Sequence, residues 1–114
     1  ILCGNCQNKI IINNISHLKG KESDRIRSLV INLKLLGINV HRKAGWLIIN
    51  PGNFRGAVID SYNDHRIAMS FAVAALNAKD KVVINNFECI NKSYPDFIND
   101  LKKANGKISI LLWI

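Results

Sequence analysis

Apolar positions along the chain switch repeatedly between a two-residue and a three-to-four-residue period. Lys9-Ile10-Ile11-Ile12-Asn13-Asn14-Ile15 is short, β-branched and flanked by polar residues, which predicts a strand. Ile26, Leu29, Val30, Leu33 and Leu36 then recur at helical spacing, so one side of a helix is apolar. Ser23 is placed to cap that helix, Asp24 falls in its first turn, and Gly37 ends it. Ile38-Asn39-Val40 and Trp46-Leu47-Ile48-Ile49 flank the turn Lys43-Ala44-Gly45, the pattern of a hairpin closed by Pro51-Gly52.

A second round follows. Ala57-Val58-Ile59 reads as a strand, and Asn63 or Asp64 as the cap of a helix running to about Leu76. Residues 67–76 of that helix are apolar or small nearly all round, which predicts burial on every side. Lys81-Val82-Val83-Ile84 is a further strand. Pro95 is expected in the first turn of a third helix, with Phe97, Ile98 and Leu101 facing inward and Asn105-Gly106 ending it. Ile108 to Trp113 reads as a last strand. The alternation of strands and helices makes the chain α/β, a βαβαββ-type unit with helices inside and sheets outward, helix 63–76 at its centre. One internal echo supports this: Asp24-Arg25-Ile26 and His65-Arg66-Ile67 each open a helix after a strand.

At 114 residues and 48% hydrophobic content, the chain has the size of one globular domain or a piece of one. No apolar run approaches the roughly 20 residues of a membrane span. The opening Ile1-Leu2-Cys3-Gly4 shows neither a basic leader nor an initiator Met, so a fragment or processed product without export signal is expected. Three cysteines in such a chain fit a reducing cytoplasm. Cys3-Gly4-Asn5-Cys6 has redox or zinc spacing, but only Cys89, His17, His41 and His65 remain as further ligands, so no metal site is expected. The net charge of +8 fits an acidic partner, either nucleic acid or a small multiply charged metabolite, and fits a solvated basic surface equally.

The charges fall at informative places. A helix N-terminus already carries about half a positive charge and unpaired N–H groups, so acids are the ordinary residues there. Here Lys21 and Arg25 surround Ser23-Asp24, Arg66 follows Asn63-Asp64-His65, and Lys92 precedes Ser93-Tyr94-Pro95-Asp96. Cations added to three helix starts make sense where a strong anion is held between them. Glu22, between Lys21 and Arg25, is expected to stay ionised and to become a proton shuttle if a dianion competes for those cations. An exposed ion-pair cluster is the plain alternative there. Arg66, on the first turn of a buried helix, is expected to need a partner, either a nearby Asp or a ligand carboxylate. His65 reads as a proton donor or a structural histidine, and Lys92 as a point charge suited to phosphate or as a surface lysine.

Three stretches in this order, His17-Leu18-Lys19-Gly20-Lys21-Glu22-Ser23-Asp24-Arg25, Asp60-Ser61-Tyr62-Asn63-Asp64-His65-Arg66-Ile67-Ala68-Met69 and Asn91-Lys92-Ser93-Tyr94-Pro95-Asp96-Phe97, resemble the C-terminal part of the EPSP synthases, the 3-phosphoshikimate 1-carboxyvinyltransferases. The likeness runs from about Lys9 to Leu101. The sister enolpyruvyl transferase acting on UDP-N-acetylglucosamine has the fold without these motifs. The resemblance implies the enolpyruvyl transferase fold and a reaction between phosphoenolpyruvate and shikimate 3-phosphate, without metal or cofactor, in aromatic amino-acid biosynthesis. It implies that Arg25, Arg66 and Lys92 hold phosphoenolpyruvate and that Lys21 touches both substrates. Glu22 would serve proton transfer, His17 would contact shikimate 3-phosphate, and His65 would stand beside the site. Glyphosate, which occupies the phosphoenolpyruvate site in sensitive members, is an implied inhibitor.

Departures bear on activity. Members of the family are several times longer and bind substrate between two domains. Their upstream catalytic Asp, phosphate-binding serines and second set of cations have no counterpart here. Lys19 stands where many members have Arg, and Lys107 to Ile114 matches no motif. Residues 1–114 are therefore expected to be the C-terminal portion of one enolpyruvyl transferase domain, inactive alone. A basic αβ module that binds nucleic acid is the alternative, against which stands the lack of stacking aromatics spaced along a strand.

Overall fold

The computed structural model describes residues 1–21, 23–104 and Lys107. Among these residues five strands and three α-helices follow one another as β1 (Ile10–Ile12), α1 (Arg25–Leu35), β2 (Asn39–Lys43), β3 (Trp46–Asn50), β4 (Ala57–Asp60), α2 (His65–Ala75), β5 (Val82–Asn85) and α3 (Phe97–Lys103). Short 3-10 turns occupy Leu2–Asn5, Ser16–Gly20 and Phe87–Lys92. The βαβαββ order is present in cyclic form: β1-α1-β2-β3 gives its last four elements and β4-α2-β5-α3 its first four. The expected last strand at 108–113 and the helix end at Asn105-Gly106 lie outside the described residues.

β1, β3 and β2 form an antiparallel sheet in that order, with Ile49 opposite both Ile10 and Val40. Pleating sends Val40, Leu47 and Ile49 into the core and leaves Ile11, His41, Lys43 and Trp46 on the outer face. Ala44 and Gly45 both take positive φ, the hairpin geometry that suits strand twist. β4 and β5 pair in parallel, Ala57 against Val82 and Asp60 against Asn85, joined through α2 as a βαβ crossover.

Helix α1 serves both sheets, lying on β2 of one and β4 of the other. Its stripe buries Ile26 and Leu33, with Leu36 just beyond its end. Gly37 at φ +87 closes it: Gly37 N–H donates to the Lys34 carbonyl and Ile38 N–H to that of Leu33, which answers two orphan acceptors. Within this apolar stripe Asn32 is also buried. Its amide group clamps the backbone of Asp60, donating to the carbonyl at 2.7 Å and accepting from the N–H at 3.3 Å. A buried amide thus acts as an extra strand partner at the end of β4, and among the described residues no buried side-chain N or O atom lacks a hydrogen-bond partner.

Three expectations are corrected. Asp24, not Ser23, caps α1 through its carboxylate, and of Asn63 and Asp64 it is Asp64 that caps α2. Asn63 cannot cap because it sits left-handed in the preceding turn, and the Ser23 hydroxyl is spent elsewhere. Helix α2 is buried only on the side of Ile67, Ala68, Phe71 and Ala74; Val73 and the cap Leu76 are exposed, because only one flank is covered by the described elements. Pro95 precedes α3 instead of lying in its first turn.

This asymmetry of α2 predicts sharply different truncations. Phe71→Ala should destabilise by about 3–5 kcal/mol and Val73→Ala by no more than about 0.5 kcal/mol, read from urea midpoints.

Candidate functional site

Asp64 is the centre of the arrangement. It leaves the turn after β4, enters α2 and is fully buried. Its Oδ2 accepts from Arg25 Nε at 2.8 Å and from Ser23 Oγ at 2.7 Å. Its Oδ1 accepts the Arg66 backbone N–H at 3.0 Å, with Arg25 Nη2 at 3.4 Å. Arg25 is itself buried, so a charged pair removed from water locks the mouth of α1 to the mouth of α2. Burial pushes the Asp64 carboxyl upward, but the bonds from Arg25, Ser23 and the Arg66 N–H outweigh it and hold the group below its ordinary value.

The third helix start arrives from the side. The 3-10 turn Phe87–Lys92 packs on α2, and together they frame an open recess of about 450 Å³ lined by Asn63, His65, Cys89, Lys92 and Ser93. Lys92 and His65 therefore face one space. Arg66, second residue of α2, is exposed, as is Lys21 just ahead of Ser23. Among the described residues neither these two nor Lys92 makes an ion pair. His17 is exposed and its Nδ1 lies 3.0 Å from the Asn14 carbonyl oxygen, with no bond to the Asp64 cluster among the described residues. Glu22 lies outside the described residues. No group of three or more His, Cys, Asp or Glu side chains converges as a metal site among them.

Arg66 was expected to be desolvated and in need of a partner. Burial falls on Arg25 instead, and its partner is Asp64. Internal pairing thus accounts for one arginine and leaves the other exposed. Sequence reasoning passed over Ser23 as a donor to Asp64, and over Asn32, Ser61 and Asn86, which fix the loop carrying Asp64. An amide in the middle of α1's apolar stripe was the available signal for Asn32.

The profile of EPSP synthase (3-phosphoshikimate 1-carboxyvinyltransferase) matches residues 1–101. The chain belongs to the EPSP synthase family. It is 42% identical over 96 residues to the 3-phosphoshikimate 1-carboxyvinyltransferase of Clostridium acetobutylicum, covering 83% of this chain and 22% of that protein. The enzyme of the same name from Akkermansia muciniphila is 44% identical over 92 residues, 80% of this chain and 21% of that one. In three dimensions the chain superposes on EPSP synthase from Acinetobacter baumannii with a TM-score of 0.84 and 31% identity, over 90% of this chain and 25% of that structure. It therefore spans between a fifth and a quarter of these family members' length. The α/β architecture described above is part of the EPSP synthase fold.

Asp64 makes the stability of this family member acid-sensitive. Its folded-state proton affinity is depressed, so its contribution is complete above the unfolded value of 3.8 and is lost as pH falls through the lower folded value. Urea midpoints measured from pH 6 downward should fall below about pH 4 in the wild type and flatten in Asp64→Asn. At neutral pH Asp64→Ala should cost about 3–5 kcal/mol, because Arg25 is left buried and uncompensated.

Proposed function

We propose that this chain supplies part of the phosphoenolpyruvate site of an enzyme that transfers the enolpyruvyl group to shikimate 3-phosphate and releases phosphate, in cytoplasmic aromatic amino-acid biosynthesis. In this reading residues 1–114 form the C-terminal portion of one enolpyruvyl transferase domain, and the remaining site groups belong to the rest of such an enzyme. The observation that carries the proposal is the joining of two helix mouths by Arg25 and Asp64, with exposed Arg66 beside them and Lys92 on the adjoining recess.

The chemistry suits that arrangement. Phosphoenolpyruvate brings a carboxylate and a phosphate, and helix N–H groups with exposed cations answer both. The resemblance implies that Arg66 and Lys92 hold phosphoenolpyruvate and that Lys21 touches both substrates; the planar fork of Arg66 suits the carboxylate, and the lysines, as point charges, suit phosphate. Arg25, which the resemblance also assigns to phosphoenolpyruvate, is anchored by Asp64 and adds positive potential to the site. A proton delivered to the enol methylene, with Glu22 in that role, gives the neighbouring carbon oxocarbenium character, and a hydroxyl of shikimate 3-phosphate adds to it, giving up its own proton. The tetrahedral intermediate then loses phosphate, whose growing charge the cations stabilise, and a proton leaves as the double bond returns. Holding both substrates together removes much of the entropic barrier. No observation favours the nucleic-acid reading that charge alone permits.

Titrating phosphoenolpyruvate into the isotope-labelled chain should shift the amides of His65, Arg66 and Lys92, and glyphosate should compete. Arg66→Ala and Lys92→Ala should each weaken binding about tenfold, the scale of one charged hydrogen bond, with the urea midpoint unchanged because both side chains are exposed. Shifts confined to remote positions would count against the site. A second expectation concerns turnover: the 114-residue chain alone should release no phosphate from the two substrates. Measured release would refute its assignment as a partial site.

A further inference from the structure

Asp64 and Arg66 are delivered by a turn that their own neighbours make unfavourable. Ser61 to Asp64 closes with the Asp64 N–H on the Ser61 carbonyl at 3.0 Å, and both central residues are left-handed, Tyr62 at φ 53 and Asn63 at φ 56. Asn tolerates this region; Tyr, with a bulky side chain and no local hydrogen bond to offer, does not. Among the described residues five non-glycine positions have positive φ, and three of them, Tyr62, Asn63 and Asn86, belong to this one knot. Left-handed residues gathered in one place persist only where their surroundings overdetermine them.

The surroundings are specific. Asp60 Oδ1 accepts the Tyr62 N–H at 2.7 Å and the Asn86 side-chain amide at 3.2 Å. Ser61 Oγ donates to the Asn86 carbonyl at 2.9 Å and accepts the Asn63 N–H at 3.2 Å. Asn32 grips the Asp60 backbone from α1. Asn86, itself at φ 58, is the residue where β5 turns into the 3-10 segment that carries Lys92. It touches both the carboxylate and the hydroxyl that hold the Tyr62 turn.

We infer that Asn86, acting through Asp60, is a positioning residue for the anion site: its side-chain amide keeps the Tyr62-Asn63 turn left-handed and thereby fixes where α2 and Arg66 begin. Without that donor the Asp60 carboxylate is free to rotate toward solvent, the Tyr62 N–H loses its acceptor, and Tyr62 relaxes toward an ordinary extended or helical conformation. The turn then opens and Asp64 enters α2 along a changed path. The geometric half of this inference stands on the turn alone; its binding half rests on the reading of the helix mouths as a phosphoenolpyruvate site.

Asn86→Gly is the decisive variant, because Gly keeps the left-handed backbone and removes only the amide. Hydrogen exchange at the Tyr62 and Asp64 amides should quicken roughly five- to tenfold, the scale of one hydrogen bond, while Ile49 in β3 is unchanged. Affinity for phosphoenolpyruvate, followed by shift titration, should fall by a similar factor. Adding Tyr62→Gly, which removes the conformational penalty at the turn, should restore both, and a merely structural amide would show no such rescue. If Asn86→Gly proves too unstable, Asp60→Ala should give the same exchange signature. Wild-type exchange at both amides in these variants, or no rescue by Tyr62→Gly, overturns the inference whatever the wild type binds. A wild type that ignores phosphoenolpyruvate overturns the site reading instead, while the exchange rates still decide the turn.

Discussion

The contact between the buried Asp64 carboxylate and the buried Arg25 guanidinium organises this molecule. Neither Asp64 nor Arg25 could be removed from water alone without a large penalty, so each makes the other's burial possible. An ordinary helix cap is a local matter between neighbours in sequence. Here the cap of α2 is also the partner of α1, and α1 in turn lies across both sheets. The relative placement of the two helix mouths is therefore fixed by charge and hydrogen-bond geometry, and the apolar core beneath fixes their depth.

Around that pair the cations divide by solvation. Arg25 is buried and committed to a carboxylate within the chain; Arg66, Lys21 and Lys92 are exposed. Exposed cations cost the fold little and remain available to an incoming anion. On the reading proposed above, their mutual repulsion, added to the partial positive charge of the helix starts, would be relieved by a bound dianion. Because these groups lie at the surface, salt should weaken that attraction far more than it weakens the Arg25–Asp64 contact.

The periods of the sequence carried most of the fold. Ile26, Leu29, Leu33 and Leu36 announced α1, and the hairpin around Ala44-Gly45 was visible in the alternation on either side. What was less legible depended on tertiary neighbours. Ser23-Asp24 and Asn63-Asp64 each offer two competent caps; Ser23 is drawn to Asp64 across the molecule, and Asn63 is held left-handed in the preceding turn. The even apolarity of α2 predicted burial all round, yet how much of a helix is covered depends on what surrounds it. Arg66 and Arg25 occupy similar positions in the echoed motif, and no local pattern says which is buried. The left-handed Tyr62 could not be foreseen, since nothing in a tyrosine favours that conformation. The family was legible from three motifs, whereas charge and composition alone reached no further than an acidic partner.

The crowding of donors around Asp64 has a chemical consequence. A carboxylate whose oxygens already receive a guanidinium, a hydroxyl and a main-chain amide has little basicity left. Although Asp64 lies at the heart of the cluster, it is poorly suited to shuttle hydrogen ions at neutral pH. It behaves as a fixed negative pillar, and any acid–base work near these helices would fall to groups whose lone pairs remain open.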